Sequence, residues 1–284
     1  MFSLKLFANR SGACTAAAII IAISGFVCSP ADGAPVAVRF PEGIAHGFLL
    51  LRSLAGEIIG HGEMTQDVKE GDQVESHLVF KFTDGSLHDE KVIFSQQREF
   101  TMQGYHLVQR GPSFPDQIEI SIDRSTTDYK VRTKAGADGK EELLAGAFTL
   151  PQDVYNGIFV TILLNLPKGA SETVNFLAFT PAPEVIKLEL NLVGEDTVGI
   201  GDLFSRKAVR YAFKPDIGII REFFGKAIGR LPANFHYYCW ILDDEVPSFV
   251  QFEGPLQLMG PIMQIELVSP HVLTKSGGKK IPAH

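Results

Sequence analysis

The chain has 284 residues, 45% of them hydrophobic, and carries a formal net charge of −7 at pH 7. A chain this long can bury a large core without disulfides or metals to support it. Its acidic balance excludes a basic surface that neutralises phosphates, since the one concentrated basic stretch, at 275–280, lies in a Gly-rich tail. The sequence therefore predicts no binding to nucleic acid.

The N-terminus is typical of a cleavable export signal. Lys5 and Arg10 precede a small, apolar run over 13–27, with no acidic residue among them. An apolar run of about 15 residues suits a signal peptide and is shorter than the roughly 20 that a spanning helix needs. We therefore predict a signal peptide over residues 1–31, cleaved after Ala31 or two residues later. Export to the periplasm or the exterior follows, and an uncleaved N-terminal membrane anchor is the less favoured alternative.

The three cysteines offer no disulfide framework to the mature chain, because two of them lie in the predicted signal. Cys28 would be lipidated in a lipoprotein, but Val27 is larger than the small residue that such processing requires before the cysteine. Cys239 lies in an aromatic run, 237–241, with no base or loop beside it. It is predicted to be a buried, unreactive thiol.

From Gly43 to Phe148, apolar and polar residues alternate with period two between turn signals, which is the pattern of antiparallel strands. The turns are indicated at Ala55-Gly56, Asp84-Gly85, Gln103-Gly104, Gly111-Pro112 and Asp138-Gly139. The predicted strands are Gly47–Leu54, Glu57–Asp67, Asp72–Thr83, Ser86–Gln97, Tyr105–Gln109, Gln117–Ile122, Tyr129–Thr133 and Glu141–Phe148. Many strands joined by short turns favour a barrel or a strongly curved sheet.

The hairpin at Asp84-Gly85 is the strongest turn signal, and it changes phase in its second strand. Phe80 and Phe82 share one face of the incoming strand. On the outgoing strand Leu87 is odd-numbered, whereas Phe94 is even-numbered. Because side chains on a strand alternate with period two, placing both on the core face requires a β-bulge within 88–91.

The strand pattern ends at Pro151, and the segment Val154–Leu166 is apolar nearly all round before Pro167. A short helix that is apolar on every side must be buried in protein, so we predict a helix lying in the concave face of the curved sheet. A fully buried strand is the alternative, because Ile158, Val160, Thr161 and Ile162 are β-branched.

The remaining chain returns to strands, with one further amphipathic helix predicted at 217–229. The strands are Thr173–Thr180, Val185–Val193, Lys207–Phe213, Phe235–Leu242, Ser248–Glu253 and Ile262–Val268. The predicted fold is a single mainly β (β-rich α+β) domain over 32–270, followed by a flexible tail over 271–284. It is a large curved antiparallel sheet or half-barrel meander, with one or two helices packed in its concave face.

The sequence contains no metalloprotease, nucleophile-elbow, P-loop, paired-cysteine or EF-hand motif, and Gly199-Ile200-Gly201 is interpreted as a loop. Adjacent carboxylates occur at Asp89-Glu90 and in the predicted turn Asp243-Asp244-Glu245. Neighbours on a strand face opposite sides and neighbours on a turn point apart, so neither set predicts an acid–base pair. The spaced histidines are interpreted as solvated residues of a sheet: His46, His61, His77, His88 and His106. We predict no cofactor or metal, and favour a binding role over an enzymatic one.

The 21 phenylalanines and one tryptophan either fill a core or line an apolar cavity. A half-open sheet with a helix in its mouth would suit a lipid-like ligand. The residues predicted to line such a site are Phe80, Phe82, Phe94, Ile158, Ile162 and Trp240.

Three segments of the C-terminal third resemble exported bacterial proteins of unknown function that look like relatives of the periplasmic lipoprotein-carrier half-barrels: Gly201–Phe204, Val209–Phe213 and Tyr238–Pro247. The N-terminal hairpins resemble an uncharacterised group of exported proteins through Phe94–Gln96 and Gly111–Pro115. The resemblance implies a spiral antiparallel sheet wrapped around helices and carries over no catalytic residue. The expected function is a non-enzymatic envelope module that binds or carries an apolar, lipid-like ligand. The alternative is a structural or protein-interaction module of the cell envelope with a solid core and an envelope protein as its partner.

Overall fold

The structure is a computed structural model that describes residues 35–114, 116–136, 139–179, 182–200, 204–215, 236–257 and 260–270. The described elements belong to one compact unit within Asp32–His284. The strands are β1 Ala45–Ser53, β2 Ile58–Val68, β3 Gln73–Phe82, β4 Leu87–Gln96, β5 Phe100–Arg110, β6 Asp116–Asp123, β7 Asp128–Ala135, β8 Glu141–Ala147, β9 Glu172–Phe179, β10 Pro183–Ile200, β11 Phe204–Pro215, β12 Tyr237–Leu242, β13 Ser248–Gly254 and β14 Met263–Val268. The described residues contain one α-helix, α1, over Phe159–Asn165.

All fourteen strands form a single antiparallel sheet that does not close, which confirms the predicted fold class. Strands β1 to β8 follow one another outward to one edge of the sheet. The chain then crosses to the opposite edge through residues 148–171, here called the crossover, and β9 to β14 return toward the centre. The return ends where β14 pairs with β1, so two meanders of opposite direction meet in the middle of the sheet.

The sheet curls around the crossover. A Cβ atom added to Gly157 would lie 3.1 Å from Cβ of Val92 in β4, while the ring of Phe159 lies 5.3 Å from that of Phe213 in β11. Residues 157 and 159 are at most about 7 Å apart, whereas β4 and β11 are separated by seven strand spacings, about 34 Å in a flat sheet. Only a strongly curved sheet brings both strands to the same short segment. The crossover, with α1, therefore fills the concave face.

The helix is shorter than the predicted 154–166. Residues before α1 instead form two turns around an isolated bridge at Val154, and this bridge covers the free edge of β9. Asp153 and Tyr155 exchange backbone hydrogen bonds with Asn175, and the Asn156 side chain binds the backbone N–H and C=O of Leu177. Pairing an otherwise open sheet edge satisfies its backbone groups, which favours this arrangement over another helical turn.

Packing rather than capping stabilises α1. Its N-cap residue, Ile158, makes no side-chain capping hydrogen bond, and no acidic residue lies in the first turn. No residue from 159 to 166 is exposed. A seven-residue helix is marginal in isolation, so burial of its apolar side chains must hold it in place.

A strap over residues 36–40 ties the crossover down. The backbone N–H of Val36 donates to the Tyr155 hydroxyl at 2.9 Å, and the N–H of Arg39 donates to the side-chain carbonyl of Asn165 at 2.8 Å. The Arg39 guanidinium also donates to the carbonyl oxygen of Leu166 at 2.7 Å. These bonds satisfy polar groups along a segment that is otherwise apolar.

The predicted bulge within 88–91 is wrong. β3 and β4 pair in one unbroken register, with Leu87 opposite Lys81 on the outer face. The core-facing residues of β4 therefore begin with His88. The irregularity lies on the other side of β4, where the pairing with β5 shifts register after Ile93.

Two predicted interruptions also lie inside strands. Gly104, placed in a turn from the sequence, belongs to β5 and pairs with Ile93 at that register shift. Gly199 and Ile200, interpreted as a loop, belong to β10. The predicted segments 1–31, 217–229 and 271–284 lie outside the described residues. Among those described, no helix has the length and apolar character needed to cross a membrane.

The close approach of the crossover to β4 predicts that Gly157→Ala destabilises the protein more than Gly169→Ala. Both glycines have positive φ, 75° and 72°, but only at position 157 would the new methyl press on Val92. We expect a loss of about 1 kcal/mol at position 169 and about 2–4 kcal/mol at position 157, measured by urea unfolding. Equal losses would show that the crossover does not pack tightly on β4.

Candidate functional site

The concave face of β4 carries two polar side chains, His88 and Glu90, followed by the apolar Val92 and Phe94. His88, Glu90, Val92 and Phe94 all point toward the core, because the unbroken register with β3 fixes their alternation. His88 is 3% exposed, and the side chain of Glu90 is 19% exposed. Buried imidazole and carboxylate groups are costly unless they find partners, so this pair is the feature of the core that calls for an explanation.

Gln109 on β5 sets the tautomer of His88. Its Nε2 donates to the carbonyl oxygen of Leu256 at 2.9 Å and lies 3.0 Å from Nδ1 of His88. A carbonyl oxygen can only accept, so the amide nitrogen must face it and must also donate to the imidazole. Nδ1 of His88 is therefore the acceptor, and the proton of the neutral ring is assigned to Nε2.

Tyr105 on β5 binds the Glu90 carboxylate, donating its hydroxyl to Oε1 at 2.7 Å. Burial alone would raise the pKa of Glu90, but its interactions with His88 and the hydrogen bond from Tyr105 outweigh burial and lower that pKa below its ordinary value. Burial and the adjacent carboxylate raise the pKa of Tyr105 well above its ordinary value. The pair thus consists of an ionised acceptor and a hydroxyl that keeps its proton.

The remaining atoms of the pair face each other across a gap. Nε2 of His88 lies 3.9 Å from Oε2 of Glu90, which is too far for a direct hydrogen bond. Among the described residues, no polar atom lies within hydrogen-bonding distance of this buried Nε2. The site therefore holds one donor and one carboxylate oxygen that lie close together without a direct hydrogen bond between them.

Two apolar rings pack beside His88. The ring of Phe80 lies 5.7 Å from that of His88, and Phe114 lies 6.4 Å from it. Phe80 itself packs over Gly62 of β2, where an added Cβ would lie 2.3 Å from the ring. Glycine at position 62 therefore makes room for the aromatic wall of the site.

The β5–β6 loop places Phe114 at one end of the site. Ser113 donates its N–H to Oγ of Ser86 at 2.8 Å and its hydroxyl to Asp84 at 2.7 Å. The loop is thus fastened to the β3–β4 turn, and Phe114 packs edge-on against Phe82 at 5.4 Å. The turn at Asp84-Gly85, predicted from the sequence, serves as the anchor for this contact.

Five of the six residues predicted to line a ligand site lie in the concave core. Phe80, Phe94 and Ile162 are fully buried, Ile158 is 2% exposed and Phe82 is 8% exposed. They lie in two adjoining clusters: Phe94, Ile158 and Ile162 pack around the crossover, and Phe80 and Phe82 pack beside β1, β13 and β14. All five are in contact with other core side chains.

Trp240 lies on the opposite, outer face of the sheet, so it cannot line the concave side. Its neighbours Cys239 and Ile241 are the buried residues of β12. Trp240 instead donates its indole N–H to Asp196 at 2.8 Å and lies under the Arg210 guanidinium at 5.8 Å. The prediction followed from hydrophobicity alone, whereas strand alternation gives the inner face to the two flanking residues.

Four of the five spaced histidines lie outside the core, as predicted: His46, His61, His77 and His106. His46 pairs with Glu63 at 2.7 Å, and His77 with Asp89 at 2.8 Å.

Because Asp89 faces outward and Glu90 inward, these adjacent carboxylates form no acid–base pair. No set of three metal-ligating side chains converges within the described ranges. Cys239 is buried as predicted, and burial raises the pKa of its thiol.

Comparison of the chain with protein-family models, curated proteins and solved structures finds no match. The candidate site therefore rests on its own geometry.

The inward-facing Glu90 predicts a defined pH dependence for the variant Glu90→Gln. A folded pKa below the ordinary value of 4.5 stabilises the protein above that pH, and this contribution is lost as the pH falls through the folded pKa. We expect the variant to lose about 1–3 kcal/mol of unfolding free energy at pH 7, and less at pH 3.5, in urea unfolding. Asp89→Asn, on the outer face, is the matched control and should change stability by less than about 1 kcal/mol. A deficit of Glu90→Gln that grows as the pH falls would contradict the assigned direction.

Proposed function

We propose that the protein is an exported, non-enzymatic carrier that holds an apolar, lipid-like ligand in the concave face of its sheet. The observation that supports this proposal is the crossover itself. Its helix α1 is apolar, lacks a side-chain N-cap and occupies the concave face of a sheet that does not close. An acyl chain could take the place of α1, because both present apolar surface of similar character to the same walls.

The arrangement is also in keeping with the resemblance to the lipoprotein-carrier half-barrels, in which a spiral antiparallel sheet wraps around helices. Here the sheet wraps around α1. The protein would act in the cell envelope, because its N-terminus has the pattern of an export signal. The polar pair of His88 and Glu90 lies beside the crossover, since Gly157 approaches both Val92 and Tyr105. Ligand exchange would displace α1 while the strap at 36–40 keeps the chain nearby.

The proposal predicts that locking the crossover in place blocks uptake. In the variant Val92→Cys, Gly157→Cys, the two Cβ positions lie 3.1 Å apart, so a disulfide, which spans about 3.5–4.5 Å, forms once the crossover shifts outward by a few tenths of an ångström. The oxidised protein should bind an uncharged fluorescent apolar probe at least about tenfold more weakly than the same protein after reduction. The reduced protein is the control for the oxidised one. Cys239 does not interfere, because its buried thiol does not take part in thiol–disulfide exchange. Equal uptake in both states, or uptake in neither, would contradict a displaceable crossover.

A second candidate function, a protein-interaction module, is favoured by the edge strand β8. The backbone N–H of Phe148 donates to the carbonyl of Thr127, so alternation along the ladder directs the N–H and C=O groups of Leu143 and Ala145 away from β7. Every residue of β8 except Leu144 is exposed, and Leu143 is 63% exposed. The edge of β9 is covered by the crossover, whereas β8 offers a row of backbone groups to an extended strand of a partner.

This second function predicts that Ala145→Pro abolishes capture of a partner by chemical crosslinking in cells. Proline removes one outward-facing N–H without breaking a hydrogen bond to β7, so the fold should be retained. Ala145→Ser keeps that N–H and should retain the crosslinked partner. Capture by both variants, or no capture by the unaltered protein, would argue against strand addition at β8.

A further inference from the structure

The gap between His88 and Glu90 has a defined hydrogen-bonding character. Nε2 of His88 carries a proton, because Gln109 donates to the other ring nitrogen. Oε1 of Glu90 accepts from Tyr105, which leaves Oε2 facing the imidazole. One donor and one acceptor thus face each other 3.9 Å apart in an apolar surrounding.

We propose that this pair is the head-group subsite of the carried ligand and that it selects a lipid with a free hydroxyl group; the inference rests on the proposed carrier function. An oxygen atom can lie about 2.8 Å from both Nε2 and Oε2 when they are 3.9 Å apart. A hydroxyl accepts from the imidazole N–H and donates to the carboxylate at the same time. It therefore satisfies both groups with one atom.

Other simple head groups satisfy only one side of the gap. A carboxylate can only accept, and it would place a second negative charge beside Glu90 in a poorly solvated position. An ammonium group can only donate, so it would face the N–H of His88 without accepting from it. A plain hydrocarbon leaves both protein groups unpaired. The donor and acceptor arrangement thus discriminates among ligands that share one chain.

The surroundings of the gap suit the chain that follows such a head group. Leu78 and Leu107 are the strand neighbours of Glu90 on either side, and both are half-buried. The Phe80 and Phe114 rings close the space on the side of His88. The Glu90 side chain is 19% exposed whereas Nε2 of His88 is buried, so a hydroxyl would approach the pair from the side of Glu90, with its chain against the leucine side chains.

The decisive experiment compares four ligands of equal chain length on the full protein. Dodecan-1-ol, dodecane, dodecanoate and dodecylammonium each compete with bound N-phenyl-1-naphthylamine, an uncharged apolar fluorophore. We expect the alcohol to displace the probe about tenfold more effectively than each of the others. If the fluorophore does not bind at all, the carrier function itself fails. If all four ligands compete equally, the carrier function stands and the hydroxyl subsite is wrong.

A pair of matched variants tests the assignment to His88. His88→Phe keeps a planar ring but removes the donor, so the advantage of dodecan-1-ol over dodecane should disappear. His77→Phe alters a histidine on the outer face of β3 and should leave the advantage unchanged. An advantage that survives His88→Phe would overturn the subsite. Should that variant fail to fold, the ligand series on the unaltered protein still decides.

Discussion

The packing of the crossover against both halves of the sheet is the constraint on which the architecture depends. Fourteen antiparallel strands expose two broad faces, and one face must be covered with apolar surface for the sheet to be stable in water. Residues 148–171 supply that surface, and because Gly157 contacts β4 and Phe159 contacts β11, the sheet must curl. The same segment covers the edge of β9. One segment thus curves the sheet, fills its concave face and protects one of its edges.

That constraint also gives the polar pair its importance. Once β4 is part of the wall around the crossover, every second side chain of that strand is buried, whatever its polarity. His88 and Glu90 are tolerated there because Gln109 and Tyr105 satisfy two of their four polar atoms, Nδ1 of His88 and Oε1 of Glu90. The other two, Nε2 of His88 and Oε2 of Glu90, lie 3.9 Å apart, too far for a direct hydrogen bond. A purely structural core would gain stability from apolar residues at these positions, which favours a role in recognition.

Much of the fold could be predicted from local patterns. Each of the fourteen strands corresponds to a segment with period-two alternation, and the Asp84-Gly85 turn lies where its composition indicates. The pairing of β14 with β1 could not be predicted, because it joins residues about 210 positions apart and leaves no local pattern. The non-helical start of the crossover was missed for a related reason: its partner, β9, is a tertiary neighbour that overrides helix propensity.

The candidate site was missed because hydrophobicity was used to assign the inner face of β4. Placing Leu87 on the core face required a bulge between it and Phe94. The same assignment put His88 on the solvated face, with the other spaced histidines. Keeping the strand regular and letting Val92 and Phe94 define the face puts His88 and Glu90 inside. Trp240 shows the converse error, since alternation with Cys239 and Ile241 places it outside. The alternation of side chains along a strand was thus a better guide to its inner face than the polarity of single residues.

The central claim is that the concave face holds an apolar ligand in exchange for the crossover. Its most direct test is mass spectrometry of the protein recovered from its own cells without detergent, first in the native state and then after solvent extraction. The account predicts a stoichiometric adduct in the native spectrum and a hydroxyl-bearing lipid of the same mass in the extract. A single native mass equal to that of the bare polypeptide, with an empty extract, would contradict it.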